Sequence, residues 1–209
     1  MGSKLKCSLL MIAVFLTCPS TLLAQELTKR VFLRDHSFEL PRSAQWNNRE
    51  LGDGTSEPMS FGDGIVYRFR KMSSEVFSTR IEDGHIHTVR VVGTVYSYAP
   101  ELSKAHQKKI LNLLKNFQLN SGTPSSPAIR EEKQFGGARC TNVSGHFLVQ
   151  GSSRFPDKQF QFWIAHVNCL HPKDPSKVIR IEVSERNTPG AKRVSGSIYR
   201  LVTKTLRFK

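Results

Sequence analysis

Arg139-Cys140-Thr141-Asn142-Val143-Ser144-Gly145-His146-Phe147-Leu148-Val149-Gln150 and Gln159-Phe160-Gln161-Phe162-Trp163-Ile164-Ala165-His166-Val167-Asn168-Cys169-Leu170 flank a turn-forming stretch, Gly151 to Lys158. Both runs are rich in β-branched and aromatic residues, the composition of paired strands. Antiparallel partners around one turn share a constant index sum. In the register that sums to 309, the turn centres near Arg154-Phe155 and Cys140 stands directly opposite Cys169. A non-hydrogen-bonded antiparallel pair brings two cysteines within bridging distance. The same register puts Val143, Phe147 and Val149 on one face with Phe160, Phe162 and Ile164. Period, turn and cysteines therefore agree on one hairpin. A disulfide closing this loop stabilises the fold by roughly 3 kcal/mol, less any strain.

Whether those cysteines oxidise depends on compartment, and the chain's first 24 residues address that. Lys4 and Lys6 form a short positive start, and Leu9 to Leu16 an apolar run too short to span a bilayer. Thr21-Leu22-Leu23-Ala24 ends in a small residue suited to a signal peptidase, although Leu22 is larger than preferred. Residues 1–24 are thus expected to be an export signal, and the mature protein periplasmic or secreted. Lipidation at Cys18 is disfavoured because Phe15-Leu16-Thr17 lacks the small residue expected there. Retention of the segment as an anchor is the other alternative. Cleavage removes Cys7 and Cys18 and leaves Cys140 and Cys169 as the mature pair, expected to bond in an oxidising compartment.

Charge is unevenly distributed. Gln25 to Tyr98 carries 10 Lys/Arg and 10 Asp/Glu, whereas Ala99 to Lys209 carries 19 and 7, a net of +12. Gly190 to Lys209 holds six basic residues and no acid. Such an asymmetric field favours an anionic partner, an envelope component or an acidic protein, with membrane-surface contact among the forms this can take. Export argues against a genomic target, and no RNA-recognition signature or basic zipper occurs, so nucleic acid is not the expected partner.

Outward from the hairpin, Val178 to Ser184 alternates Val178, Arg180, Glu182 with Ile179, Ile181, Val183 and reads as a third strand. A helix after Pro189-Gly190 directs Val194, Ile198, Leu201, Val202 and Thr205 inward and Arg193, Arg200, Lys204 and Arg207 outward. In the first half, Ser37 to Pro41, Ile65 to Arg70, Glu75 to Ile81 and His85 to Tyr98 read as strands, with Asp83-Gly84 a hairpin turn. Asn47 to Gly64, with Gly52-Asp53-Gly54 and Gly62-Asp63-Gly64, reads as a loop. Pro100 opens a helix whose Leu102, Ala105, Ile110, Leu113, Leu114 and Phe117 lie apart from Lys104, Lys108 and Lys115.

The expected architecture is α+β, an antiparallel sheet of six to seven strands with two amphipathic helices, consistent with a diverged βββα duplication. Residues 25–209 form one domain, with a first half 25–119, a linker 120–130 and a second half 131–209.

Little in the chain carries chemistry. His85 and His87 point the same way on a strand and suit two zinc ligands, but no HExxH, CxxC or acidic third ligand follows at a fixed offset. His106, His146, His166 and His171 are scattered. The Gly-Asp-Gly triplets lack the alternating oxygen donors of a calcium loop, and there is no GxSxG elbow. Trp46, Trp163, Tyr96, Tyr98 and Tyr199 read as core rather than as stacking platforms. No cofactor, metal site or catalytic residue is expected.

Phe38-Glu39-Leu40-Pro41 followed by Trp46, then antiparallel strands and a Pro-initiated helix, resembles the PsbP-like family over about residues 37–117. That family opens with an aromatic-x-x-Pro-x-x-Trp pattern, whereas Trp46 stands five residues after Pro41. The resemblance implies an exported binding or assembly factor and assigns no functional residue. The expected function is non-catalytic binding through Lys104, Lys108, Lys115, Arg193, Arg200, Lys204 and Arg207. The alternatives are an envelope immunity or inhibitor protein and a secreted metal-dependent hydrolase using His85 and His87.

Overall fold

Apolar alternation in the long β-branched runs leads to two antiparallel sheets in the computed structural model. It describes residues 28–33, 35–42, 44–60, 66–82, 85–97, 104–115, 119, 123–151, 156–174 and 176–209. The expected export signal, the expected Pro100 helix start, the expected Asp83-Gly84 turn and Gly62-Asp63-Gly64 lie outside these residues. In chain order the elements are β1 (Thr28–Leu33), β2 (His36–Pro41), β3 (Asn47–Ser60), β4 (Val66–Glu82), β5 (His85–Ser97), α1 (Lys104–Lys115), β6 (Thr123–Pro124), β7 (Ile129–Phe135), β8 (Ala138–Gln150), β9 (Gln159–Leu170), β10 (Lys177–Asn187), α2 (Ser195–Thr205) and β11 (Arg207–Phe208).

The large sheet has eight strands, in the order β3-β4-β5-β10-β9-β8-β6 with β7 also on β8, and the small one is β1-β2-β11. The fold is sheet-rich α+β, with two sheets rather than one of six or seven strands. Cys140 pairs with Cys169 in the β8–β9 register, their Cα atoms 4.0 Å apart and their sulfurs bonded.

One face of the large sheet carries Val76, Val91, Val95, Ala165, Val167, Ile179, Ile181 and Val183, and packs against Phe38 and Leu40 of β2 and Ile198, Val202 and Leu206 around α2. Packing is tight at Gly93, where a Cβ atom would lie 2.4 Å from Leu33 Cδ1 and 2.6 Å from His36 Nε2. On the opposite face α1 covers β8 and β9, and Leu119 packs among Val143, Phe147 and Ile164, with Val149 and Phe162 beside them. This is the face expected from the hairpin register.

Several expectations need correction. Asn47 to Ser60 is an edge strand, not a loop. Its pairing with β4 shifts at Leu51/Asp53 and Asp53/Thr55, so irregularity absorbs Gly52-Asp53-Gly54 within the strand. The two strands expected between Ile65 and Ile81 are one, β4. The expected linker is folded onto the sheet, since Thr123–Pro124 and Ile129–Phe135 both pair with β8. The last helix stops at Thr205, and Arg207–Phe208 adds a strand to β2.

The strand order β3-β4-β5-β10-β9-β8 reads symmetrically about the antiparallel β5–β10 pair. A two-fold relating such strands runs perpendicular to the sheet and keeps each face on its own side. The helices lie on opposite faces, so they do not follow that symmetry.

Candidate functional site

The cations expected to act together lie on separate surfaces. On α2, Ile198, Val202 and Thr203 are buried, while Arg200 and Lys204 are exposed four residues apart, as is Arg207 three residues on. The apolar spacing that docks the helix thereby leaves a basic stripe facing solvent. Helix α2 has no local side-chain cap. Glu185 on β10 serves instead, its carboxylate accepting the backbone N–H groups of Val194 at 3.0 Å and Ser195 at 2.7 Å.

Arg193 differs from the rest of the expected stripe. Its guanidinium sits 5.0 Å above the Trp163 ring, and it also reaches His146 Nε2 at 3.2 Å and Ser195 Oγ at 3.0 Å. Burial, reinforced by the Arg193 charge, lowers the His146 pKa below its ordinary value. Lys108 and Lys115 belong to α1 on the opposite face, Lys108 exposed and Lys115 bonded to Glu132 at 3.2 Å. The side chain of Lys104 lies outside the described set. The structure sets Arg200 and Lys204 one turn apart on α2, places Arg207 beyond the helix on β11, and puts Lys108 and Lys115 on the opposite face.

Among the described residues the histidine side chains are dispersed, and those of His85 and His106 lie outside that set. His87 is buried near Val89, Val194 and Ile198 under the start of α2. His166 pairs with Glu182 at 3.1 Å, and His171 Nδ1 accepts the backbone N–H groups of Lys173 and Asp174. Among the described residues no three His, Cys, Asp or Glu side chains cluster with metal-site geometry. Trp163 and Tyr96 are buried, and Trp46 packs against the core while its Nε1–H donates to the Pro41 carbonyl at 2.9 Å.

Sequence reasoning missed a polar groove of about 320 Å3 on the large sheet, on the α1 face where β4, β5 and β10 meet. Three neighbouring rungs build its floor: Lys71–Tyr96, Ser73–Thr94–Arg180 and Val92–Glu182. The Ser73 and Thr94 hydroxyls are 2.9 Å apart. Arg180 lies 5.2 Å over the Tyr96 ring and donates from Nε to Asn168 Oδ1 at 2.8 Å. Arg90 is ion-paired with the buried Glu75. Burial opposes ionisation of Glu182, yet the hydrogen bond and charge of His166, with Arg90 and Arg180 nearby, hold its pKa below the ordinary value. The alternation of Arg180 and Glu182 in β10 was the available signal. Only strand order brings Arg90 and Lys71 beside them.

No protein-family model matches the chain, and no curated protein does. Among solved structures, similarity is found to LpqN of Mycobacterium tuberculosis, described as involved in cell envelope biogenesis, with a TM-score of 0.41 and 11% identity over 80% of this chain and 94% of that one.

Proposed function

We propose that the protein is an exported, non-catalytic binding protein whose α2 surface contacts an anionic envelope component or an acidic protein. The observation that carries this reading is the exposed pair Arg200 and Lys204 on a helix anchored by Ile198 and Val202, with Arg207 exposed just beyond it on β11. A fixed row of cations on a rigid element concentrates positive potential and attracts an anionic surface, an effect that salt screens. The export signal in residues 1–24 and the Cys140–Cys169 bond support an oxidising compartment.

The test is co-sedimentation with phosphatidylglycerol-containing vesicles, and separately with polyglutamate-coated beads, across a salt series. The wild-type chain binds at low salt and releases as salt rises, and the Arg200→Glu/Lys204→Glu/Arg207→Glu variant does not bind. Equal binding by that variant at every salt concentration overturns the reading.

A further inference from the structure

We infer that the groove over β4, β5 and β10 is a separate binding site for a small hydroxylated organic anion of about the size of a sugar acid. The large sheet is covered on one face by the small sheet and α2, but on the other α1 contacts β7, β8 and β9. Beyond α1 the floor is not a random polar surface. Its lining cations, Lys71, Arg90 and Arg180, come from three different strands, and one carboxylate, Glu182, faces them.

The side chains are held before any ligand arrives. Arg180 is fixed by the Tyr96 ring beneath it and by Asn168 beside it. Arg90 is oriented by the buried Glu75, and Glu182 by His166. Groups locked this way lose little side-chain freedom on binding, so their interactions convert more fully into affinity. The guanidinium presents its donors in a planar fork that matches the geometry of a carboxylate.

Ligand chemistry follows from what lines the space. The cations suit an anionic group. Ser73, Thr94 and the ionised Glu182 offer hydroxyl and carboxylate partners for alcohol groups. Leu51 and Val92 supply a short apolar wall. A groove of about 320 Å3 lies at the small end of the range for ligand pockets, roughly 300–1,000 Å3. It has room for one sugar-sized molecule. The site lies on the sheet face opposite α2, so this inference is independent of the α2 reading.

The test is an NMR titration of the oxidised full chain with glucuronate, glucose and inorganic phosphate. Glucuronate is expected to shift resonances of residues 71–73, 90–96 and 180–182 saturably, with glucose and phosphate weaker at those positions. Arg180→Gln and Lys71→Gln each weaken glucuronate binding about tenfold, the size expected for losing one charge-assisted hydrogen bond. Lys71→Gln keeps the result interpretable if Arg180→Gln unfolds the chain by exposing Tyr96. The Arg200→Glu/Lys204→Glu/Arg207→Glu variant titrates like wild type. The inference is overturned if glucuronate produces no saturable shifts there, if glucose or phosphate binds the groove as tightly, or if Lys71→Gln has no effect.

Discussion

The carboxylate of Glu185, on β10, accepts the backbone N–H of Ser195 at 2.7 Å, so a strand caps the helix that follows it. The same carboxylate accepts from Val194 N–H at 3.0 Å and from Asn187 Nδ2 at 2.6 Å. Glu185 is only 2% exposed, so water cannot replace these bonds. Glu185→Ala leaves buried donors unpaired and is expected to lower stability by roughly 3 kcal/mol, read from urea denaturation. A loss below about 0.5 kcal/mol, the size of an ordinary surface substitution, contradicts the capping role.

Cys140 and Cys169 join the neighbouring strands β8 and β9, 29 residues apart in sequence. Reduction, or the Cys140→Ala/Cys169→Ala variant, is expected to lower stability by about 2–4 kcal/mol. The measurement is guanidinium denaturation with and without reductant. The double variant should be insensitive to reductant.

At Gly93 the large sheet leaves no room for a side chain beneath Leu33 and His36 of the small-sheet region. Gly93→Ala drives a methyl into Leu33 and His36, at 2.4 and 2.6 Å. Overpacking of this kind costs about 1–3 kcal/mol. Thermal unfolding measures it, and an unchanged midpoint is evidence of slack between the sheets.

His36 is fully buried beside Phe38, and burial pushes its pKa down to about 4, with Asp35 opposing the shift and Lys209 and His171 adding to it. The unfolded chain, with the group near 6.5, binds the proton more readily than the folded one. Stability is therefore complete above about pH 6.5 and falls as pH drops toward 4, by up to about 3 kcal/mol from this residue. His146 and His171, also lowered by burial, act in the same direction. Melting temperature against pH is the measurement. His36→Leu should flatten the decline in that window, and an equally steep decline in the variant removes His36 as its source.

Much of the second half is legible in the sequence because its signals are local. The β8–β9 register follows from side-chain alternation, a single turn and two cysteines, and β10 follows from clean alternation of apolar and polar residues. The edge strand β3 is illegible for the opposite reason. Its glycines and aspartates resemble turn chemistry, and only pairing with the long β4 holds the irregular backbone extended. Thr123–Pro124 and Ile129–Phe135 are likewise strands because β8 offers them an unpaired edge.

The same division applies to the candidate sites. By itself the sequence determined the disulfide partners, the surplus of charge after Tyr98 and the apolar spacing that leaves Arg200 and Lys204 outside. These depend on periodicity and composition, which are properties of neighbours in the chain. Tertiary structure alone decided that α1 and α2 lie on opposite faces, which divides the lysines and arginines expected to act together. It also decided that β5 pairs with β10, which sets Arg90 beside Arg180 and Glu182. Strand order is chosen by the burial of whole faces, and no local pattern records which strand will be the neighbour.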